Sequence, residues 1–313
     1  MKRIHFGLLV LGLTLASGVI AEQSLARAQT ATAKSATRWE WSDDGWTRRV
    51  EIRGKAEFNE DYSDVKTLSE GGLLRIEESH GDRSYQWVVR RDENGQLLRK
   101  YLVNDEAQPL DENGRKWIAG LLLTAVRQGG IDTDNRVKSM LRKGGVNAVL
   151  EEIAVINGDY AKRIYFQTLL KQEGLSRNDR EKVLASLKTQ IISDHEKANL
   201  LKQTADLFLD DSTVSGRFFQ AVKSITSDYE RRLTLSEVVK RRNLSAPVLE
   251  QVLNAATTII SDYEKATFFL EASDRYTGET RLRTAFLRAV ETIKSDHERG
   301  RVLSALLKNK QIS

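Results

Sequence analysis

Hydrophobic positions along this chain follow two different periods. Between residues 38 and 104 they alternate with polar ones, as in Glu51-Ile52-Arg53, Leu74-Arg75-Ile76-Glu77, Tyr85-Gln86-Trp87-Val88-Val89 and Leu98-Arg99-Lys100-Tyr101-Leu102-Val103. A two-residue period is that of half-buried strands. Turn signals separate the runs at Asp43-Asp44-Gly45, Glu70-Gly71-Gly72, His80-Gly81-Asp82 and Asp92-Glu93-Asn94-Gly95, and Asn-Gly between alternating runs marks a hairpin. The pattern predicts an antiparallel meander of about five to seven short strands. Residues 29–37 ahead of it are small and polar and read as a flexible lead-in.

Pro109 and Asp111-Glu112-Asn113-Gly114 end the alternating region. From Arg115 the period becomes helical, with Trp117, Leu121, Thr124 and Ala125 on one face.

The C-terminal half then repeats itself. Gly158-Asp159-Tyr160-Ala161-Lys162, Ser193-Asp194-His195-Glu196-Lys197, Ser227-Asp228-Tyr229-Glu230-Arg231, Ser261-Asp262-Tyr263-Glu264-Lys265 and Ser295-Asp296-His297-Glu298-Arg299 align without gaps, their aspartates 35, 34, 34 and 34 residues apart. Three residues before each aspartate stands an isoleucine: Ile156, Ile191, Ile225, Ile259 and Ile293. Asp134 marks a degenerate earlier unit at a shorter spacing.

Ser-Asp-x-Glu is the signature of a capping box, in which the serine side chain accepts from the amide of the glutamate and the glutamate reaches back to the serine amide. The pairs predicted are Ser193 with Glu196, Ser227 with Glu230, Ser261 with Glu264, and Ser295 with Glu298. The Lys or Arg that follows is expected on an exposed flank, and the Tyr or His in the middle as a packing position at the helix start. A fixed period of 34 residues built from paired helices means stacked hairpins. It equals the tetratricopeptide period, but the landmark residues of that family are missing.

The fold class expected is therefore α+β, mostly α: a small β-rich domain over 38–110, linking helices or a degenerate repeat over 111–145, and an α-solenoid of about five hairpins over 146–313. Ahead of these, Lys2 and Arg3 precede sixteen uncharged residues, Phe6 to Ala21, with small-residue cleavage sites after Ala21 and Ala28. That is the layout of a secretory signal peptide over 1–28, with an uncleaved signal anchor as the alternative. It implies a periplasmic or secreted protein with no stable membrane insertion once the signal is removed.

Composition narrows the chemistry. The chain has 313 residues, net charge +5, four His and no Cys. Disulfide scaffolds, thiolate metal sites and cysteine nucleophiles are excluded. Removal of residues 1–28 leaves about +3, too mild and dispersed for the basic stripe that nucleic acid requires.

Each candidate for chemistry has a plainer reading. His195-Glu196 and His297-Glu298 begin a zinc-peptidase motif, but its second histidine would fall at Asn199 and Arg301. Asp132-Thr133-Asp134-Asn135-Arg136 begins like a calcium loop yet places Val137 and Lys143 where Gly and Glu belong. The basic run Lys240-Arg241-Arg242 suits a helix C-terminus. Trp39, Trp41 and Trp46 are the tentative binding residues: Trp39 and Trp41 share one face of a strand, as core or as an aromatic platform for glycan or peptide. No catalytic residue, cofactor or metal site is expected.

Tandem Ile-x-Ser-Asp-[Tyr/His]-Glu-[Lys/Arg] resembles repeats of exported bacterial proteins, some of which accompany membrane metallopeptidases of the β-lactam-sensor class. The stretch from Val65 to Glu78 is similar to the β-rich segment ahead of such repeats. The resemblance covers about residues 50–313 and implies an envelope location; the peptidase part is absent. Together these features predict an exported, non-enzymatic interaction or scaffold protein for an envelope protein partner. The alternatives are a hydrolase with a site between β-domain and repeats, and a detached sensor module of an envelope metallopeptidase system.

Overall fold

The computed structural model describes residues 36–308 apart from residue 277. The predicted signal segment and the lead-in up to residue 35 lie outside the described residues, while residues 36 and 37 already belong to the first strand. The chain divides into two compact units, one ending at Arg136 and the other beginning at Val137.

The first unit contains β1 (Ala36–Asp43), β2 (Trp46–Arg53), β3 (Ala56–Phe58), β4 (Val65–Leu68), β5 (Leu73–His80), β6 (Arg83–Arg91), β7 (Leu97–Val103) and β8 (Glu106–Gln108). Six strands form one antiparallel sheet in the order β1-β2-β5-β6-β7-β8, and β3 pairs with β4 as a separate hairpin. That hairpin was not visible in the alternation, because three and four residues are too short to display a period. It nevertheless supplies Phe58, Val65 and Leu68 to the core.

Register sorts the residues into two faces. Trp39 pairs with Val50, Val50 with Ile76, Ile76 with Trp87 and Trp87 with Tyr101, an apolar row across five strands. One residue along, Glu40, Arg49, Glu77 and Gln86 form a polar row on the opposite face. The helix α1 (Glu112–Gly129), capped by Asp111, whose side chain accepts from the Gly114 amide at 2.7 Å, covers the apolar face. It does so with Ile118, Leu121, Leu122, Ala125 and Val126, so the buried stripe is centred one position away from the predicted Trp117–Ala125 line. Burying each of the Ile, Leu and Val side chains among them contributes about 1.5–3 kcal/mol. At the end of α1 a Cβ on Gly129 would stand 2.7 Å from the Trp39 indole nitrogen, so only glycine lets helix and strand approach this closely.

The second unit is helical. The helix α2 (Thr133–Ala154) is broken at Gly145, whose φ of +64° and ψ of −161° interrupt the helix. After it come α3 (Asp159–Leu170), α4 (Arg177–Gln190), α5 (Asp194–Thr204), α6 (Ser212–Lys223), α7 (Asp228–Val239), α8 (Ala246–Ala256), α9 (Asp262–Ala272), α10 (Thr280–Val290) and α11 (Asp296–Lys308). The helices α3, α5, α7, α9 and α11 pack each on the next, and α4, α6, α8 and α10 do the same in a second layer. This two-layer stack is the predicted solenoid: no single hairpin buries its own apolar face, and each is completed by its neighbours. The five motif isoleucines are all buried in one continuous core with Phe166, Phe218, Phe268, Phe269 and Phe286.

Candidate functional site

The repeated motif lies at the starts of α3, α5, α7, α9 and α11, and its polar side chains join one repeat to the next. Each serine caps its own helix: Ser193, Ser227, Ser261 and Ser295 accept from the amides of Glu196, Glu230, Glu264 and Glu298 at 3.4, 3.3, 3.3 and 3.3 Å. Only this half of the predicted capping boxes forms. The serine amide, which the glutamate was expected to satisfy, donates instead to the aspartate of the preceding repeat.

Asp159 accepts from the amides of Ile192 and Ser193 at 2.9 and 2.5 Å. Asp194 accepts from Thr226 and Ser227 at 3.0 and 2.7 Å, Asp228 from Ile260 and Ser261 at 3.0 and 2.7 Å, and Asp262 from Lys294 and Ser295 at 3.1 and 2.7 Å. Burial pushes the Asp194 carboxyl up, but the hydrogen bonds from Thr226 and Ser227, together with Lys197, outweigh it and hold the carboxyl below the ordinary aspartate range. Asp262 is lowered in the same way by the Lys294 and Ser295 amides against its own desolvation.

The glutamates, released from the capping role, turn backwards. Arg163 donates to Glu196 at 2.5 Å, His195 Nδ1 lies 2.9 Å from Glu230, and Arg232 donates to Glu264 at 2.5 Å. Glu298 pairs with Arg301 of its own helix at 3.0 Å.

The basic residue of the motif is buried at Lys197, Arg231 and Lys265 and half-buried at Lys162, not exposed as predicted, whereas the Arg299 side chain is 37% exposed. Lys162, Lys197 and Lys265 extend to the carbonyls of Gln190, Ser224 and Thr292 at 2.8, 3.4 and 3.1 Å, and Arg231 reaches those of Ile225 and Thr258. These carbonyls stand at or just beyond the C-terminal ends of the second-layer helices, where a cation complements the dipole. Burial lowers the Lys197 and Lys265 ammonium groups, against the pull of their neighbouring aspartates. The aromatic slot is likewise corrected: Tyr160, Tyr229 and Tyr263 are about half-exposed and His195 more so.

What remains for solution is a ridge. Between the buried isoleucine and the N-cap residue of each motif (Gly158 in the first, serine in the others) stand Asn157, Ile192, Thr226, Ile260 and Lys294, and Ile192 and Ile260 are 82% and 84% exposed. Beside them run Tyr160, His195, Tyr229, Tyr263 and His297. The Arg163, Arg232 and Arg301 guanidiniums lie 5.1, 5.3 and 5.1 Å above the Tyr160, Tyr229 and Tyr263 rings. Each such stack at an exposed site contributes about 0.5–1 kcal/mol.

The β-unit offers two further places. Trp39 and Trp41, tentative binding residues in the sequence, are buried in the core and carry no exposed platform. Trp46 is half-buried in a chain of rings: its centroid lies 5.0 Å from His80 and 6.3 Å from Tyr85, and Tyr85 and Tyr101 lie 5.7 and 5.8 Å from Trp117. Beneath them the buried Glu78 accepts from Arg48 at 2.6 Å and from the Trp117 indole at 2.7 Å. On the opposite sheet face, a hollow of about 410 Å³ is lined by Arg38, Glu40, Arg49, Glu51, Arg75 and Glu77. Burial raises the Glu51 carboxyl, and the hydrogen bond and charge of Arg53 with the charge of Arg38 bring it below its ordinary range. The hollow is thus a self-neutralised lattice of ion pairs.

The other candidates resolve structurally. Asp132 accepts from the Tyr62 hydroxyl at 3.2 Å and from Asn135 at 2.7 Å, and Arg136 stacks 4.9 Å above the Tyr62 ring. Burial and the Asp132 charge push the Tyr62 hydroxyl up to about 12. Arg241 of the basic run pairs with Asp206 and donates to the Lys202 carbonyl of the preceding repeat. Both ring nitrogens of His195 are engaged, by Glu230 and Asn199. Among the described residues no cluster of three metal-binding side chains occurs, and no helix is long and apolar enough to cross a membrane.

No known family, curated protein or solved structure matches the chain. The likeness to exported repeat proteins therefore stands on the motif residues alone.

Proposed function

We propose that this protein is an exported, non-enzymatic interaction protein whose solenoid presents the motif ridge to a protein partner in the envelope. The observation that carries the reading is the pair Ile192 and Ile260, more than four-fifths exposed in equivalent slots of a repeat whose other apolar positions are largely buried. An exposed apolar residue by itself is ordinary. Its recurrence at the same slot of two repeats, beside half-exposed rings stacked with arginines, gives this face the aromatic and Arg composition enriched at interface centres.

The experiment compares crosslinked complexes from the native envelope for the full chain and for Ile192→Ser/Ile260→Ser. Both positions are solvated, so the variant retains its fold. Loss of one defined protein from the variant supports the reading. Equal recovery of every crosslinked protein by the two forms refutes it.

A further inference from the structure

The β-unit holds a groove of about 750 Å³ where β6, β7 and β8 meet the start of α1. Its walls include the rings of Tyr85 and Tyr101, the carboxylates of Glu106 and Asp111 and the carboxamides of Gln108 and Asn113. Among the described residues no lysine, arginine or histidine lines it.

The rings reach the groove through strand register and the helix above. Tyr101 stands opposite Trp87, and Tyr85 opposite Val103, so both rings share the face that α1 covers. Each leans on Trp117 of α1, with centroids 5.7 and 5.8 Å away, and both stay partly exposed. The Tyr101 ring also meets a carboxylate. A Cβ on Gly114 would stand 3.2 Å from the Tyr101 Cε1 atom and 3.2 Å from Asp111 Oδ1, so ring edge and carboxylate converge there.

The carboxylates lack counter-charges. Among the described residues the Glu106 side chain has no ion pair or hydrogen bond, and Asp111 accepts only from the Gly114 amide. Arg115, one turn beyond Asp111, donates to the Leu110 carbonyl at 2.9 Å and forms no ion pair. The N-terminal end of α1 offsets part of the Asp111 charge, but Glu106 has no such neighbour. The field reaches the rings: burial pushes the Tyr101 hydroxyl up, and the Asp111 charge adds to it.

These features select the charge of a ligand. An anion is repelled, and an apolar molecule would desolvate the carboxylates without pairing them. A neutral sugar can use the rings and carboxamides but gains nothing from the charge. A metal ion needs more donors, and no group of three metal-binding side chains occurs among the described residues. An organic cation uses both halves of the groove, because ring faces attract cations within about 6 Å. We infer that the groove is a binding site for an organic cation, an ammonium or guanidinium group set against the Tyr85 and Tyr101 rings and paired with Glu106 and Asp111. The inference does not depend on the motif ridge.

The test titrates the full chain, labelled with ¹³C-tyrosine, and follows the ring signals by nuclear magnetic resonance. The probes are N-acetylargininamide, its uncharged isostere N-acetylcitrullinamide, tetramethylammonium and maltotriose. Both cations should shift the Tyr85 and Tyr101 signals, less so at high salt, and the citrulline compound should not. Glu106→Gln/Asp111→Asn should weaken binding by about tenfold or more, and it keeps the fold because Glu106 is exposed and Asn caps a helix as well as Asp. Tyr101→Leu should weaken it by about two- to fivefold, with circular dichroism as the check on folding.

Equal binding of the citrulline compound, or a response to maltotriose without one to the cations, overturns the charge reading. Cation binding unchanged in Glu106→Gln/Asp111→Asn overturns the location. No response to either cation up to about 50 mM, where a millimolar site is saturated, overturns the site itself. A last arm compares N-acetylargininamide with acetyl-Gly-Gly-Arg-Gly-Gly-amide. Tighter binding of the peptide assigns the cation to a protein side chain, equal binding assigns it to a free small molecule, and both support the site.

Discussion

Asp194 is the most direct test of the inter-repeat ties. Its carboxylate accepts from the Thr226 amide at 3.0 Å, the Thr226 hydroxyl at 2.5 Å and the Ser227 amide at 2.7 Å, joining the start of α5 to the turn that begins α7. Hydrogen bonds to a charged group are each worth about 1.5–3 kcal/mol. Thr226 is exposed and its donors recover water when the carboxylate goes, so the full sum is not lost. Asp194→Ala should therefore destabilise the helical unit by about 2–3 kcal/mol, and Asp194→Asn, which keeps one neutral acceptor, by roughly half as much.

The matched control is Asp296, whose side chain is 90% exposed and, among the described residues, pairs with Arg299 of its own helix. Asp296→Ala should change stability by less than about 0.5 kcal/mol. The assay is native-state hydrogen exchange at the Thr226 and Ser227 amides, with urea unfolding followed by far-ultraviolet circular dichroism. Exchange reports the local opening that a stack of nearest-neighbour units allows even when global unfolding is not two-state. If Asp194→Ala and Asp296→Ala lose the same stability, or if Thr226 and Ser227 keep their protection in Asp194→Ala, the tie contributes nothing and the account of the motif fails.

Three other outcomes follow from the same geometry. Asp194 and Asp262 have folded values below their unfolded ones, so their ties are fully present above the unfolded aspartate range near ~4. They should be lost as pH falls through the depressed folded values, seen as acid-dependent gain of exchange at Thr226, Ser227, Lys294 and Ser295; protection unchanged down to complete acid unfolding contradicts this. Gly129→Ala should cost about 1–3 kcal/mol by thermal denaturation, since the added methyl meets the rigid Trp39 indole, and a neutral result shows that helix and strand are not locked together there. Trp41→Ala should cost about 3–5 kcal/mol as a core truncation, read as urea unfolding of the β-unit; a wild-type midpoint would return Trp41 to the candidate binding residues.

The sequence by itself determined the periods. Alternation between residues 38 and 104 is enough for an antiparallel sheet, because the faces of a strand repeat every two residues whatever it packs against. A 34-residue recurrence is enough for stacked hairpins, because no unit of that size buries its apolar face alone. The buried isoleucines and the serine caps were likewise local facts, readable from one helix and its first turn.

Which partner each motif side chain takes was decided by tertiary structure. In isolation Ser-Asp-x-Glu closes on itself. In the stack the preceding repeat's aspartate reaches the serine amide first, which frees the glutamate for Arg163, His195 or Arg232 and draws Lys197, Arg231 and Lys265 into the interior to cap their neighbours' helices. The 33- to 34-residue offset between each aspartate and the serine amide it holds was already printed in the repeat, but only stacking turned that offset into a contact. Trp39 and Trp41 show the same division. Their shared face follows from the strand, and the helix that covers it follows from the long-range packing of Ile118, Leu122 and Val126, which no local period encodes.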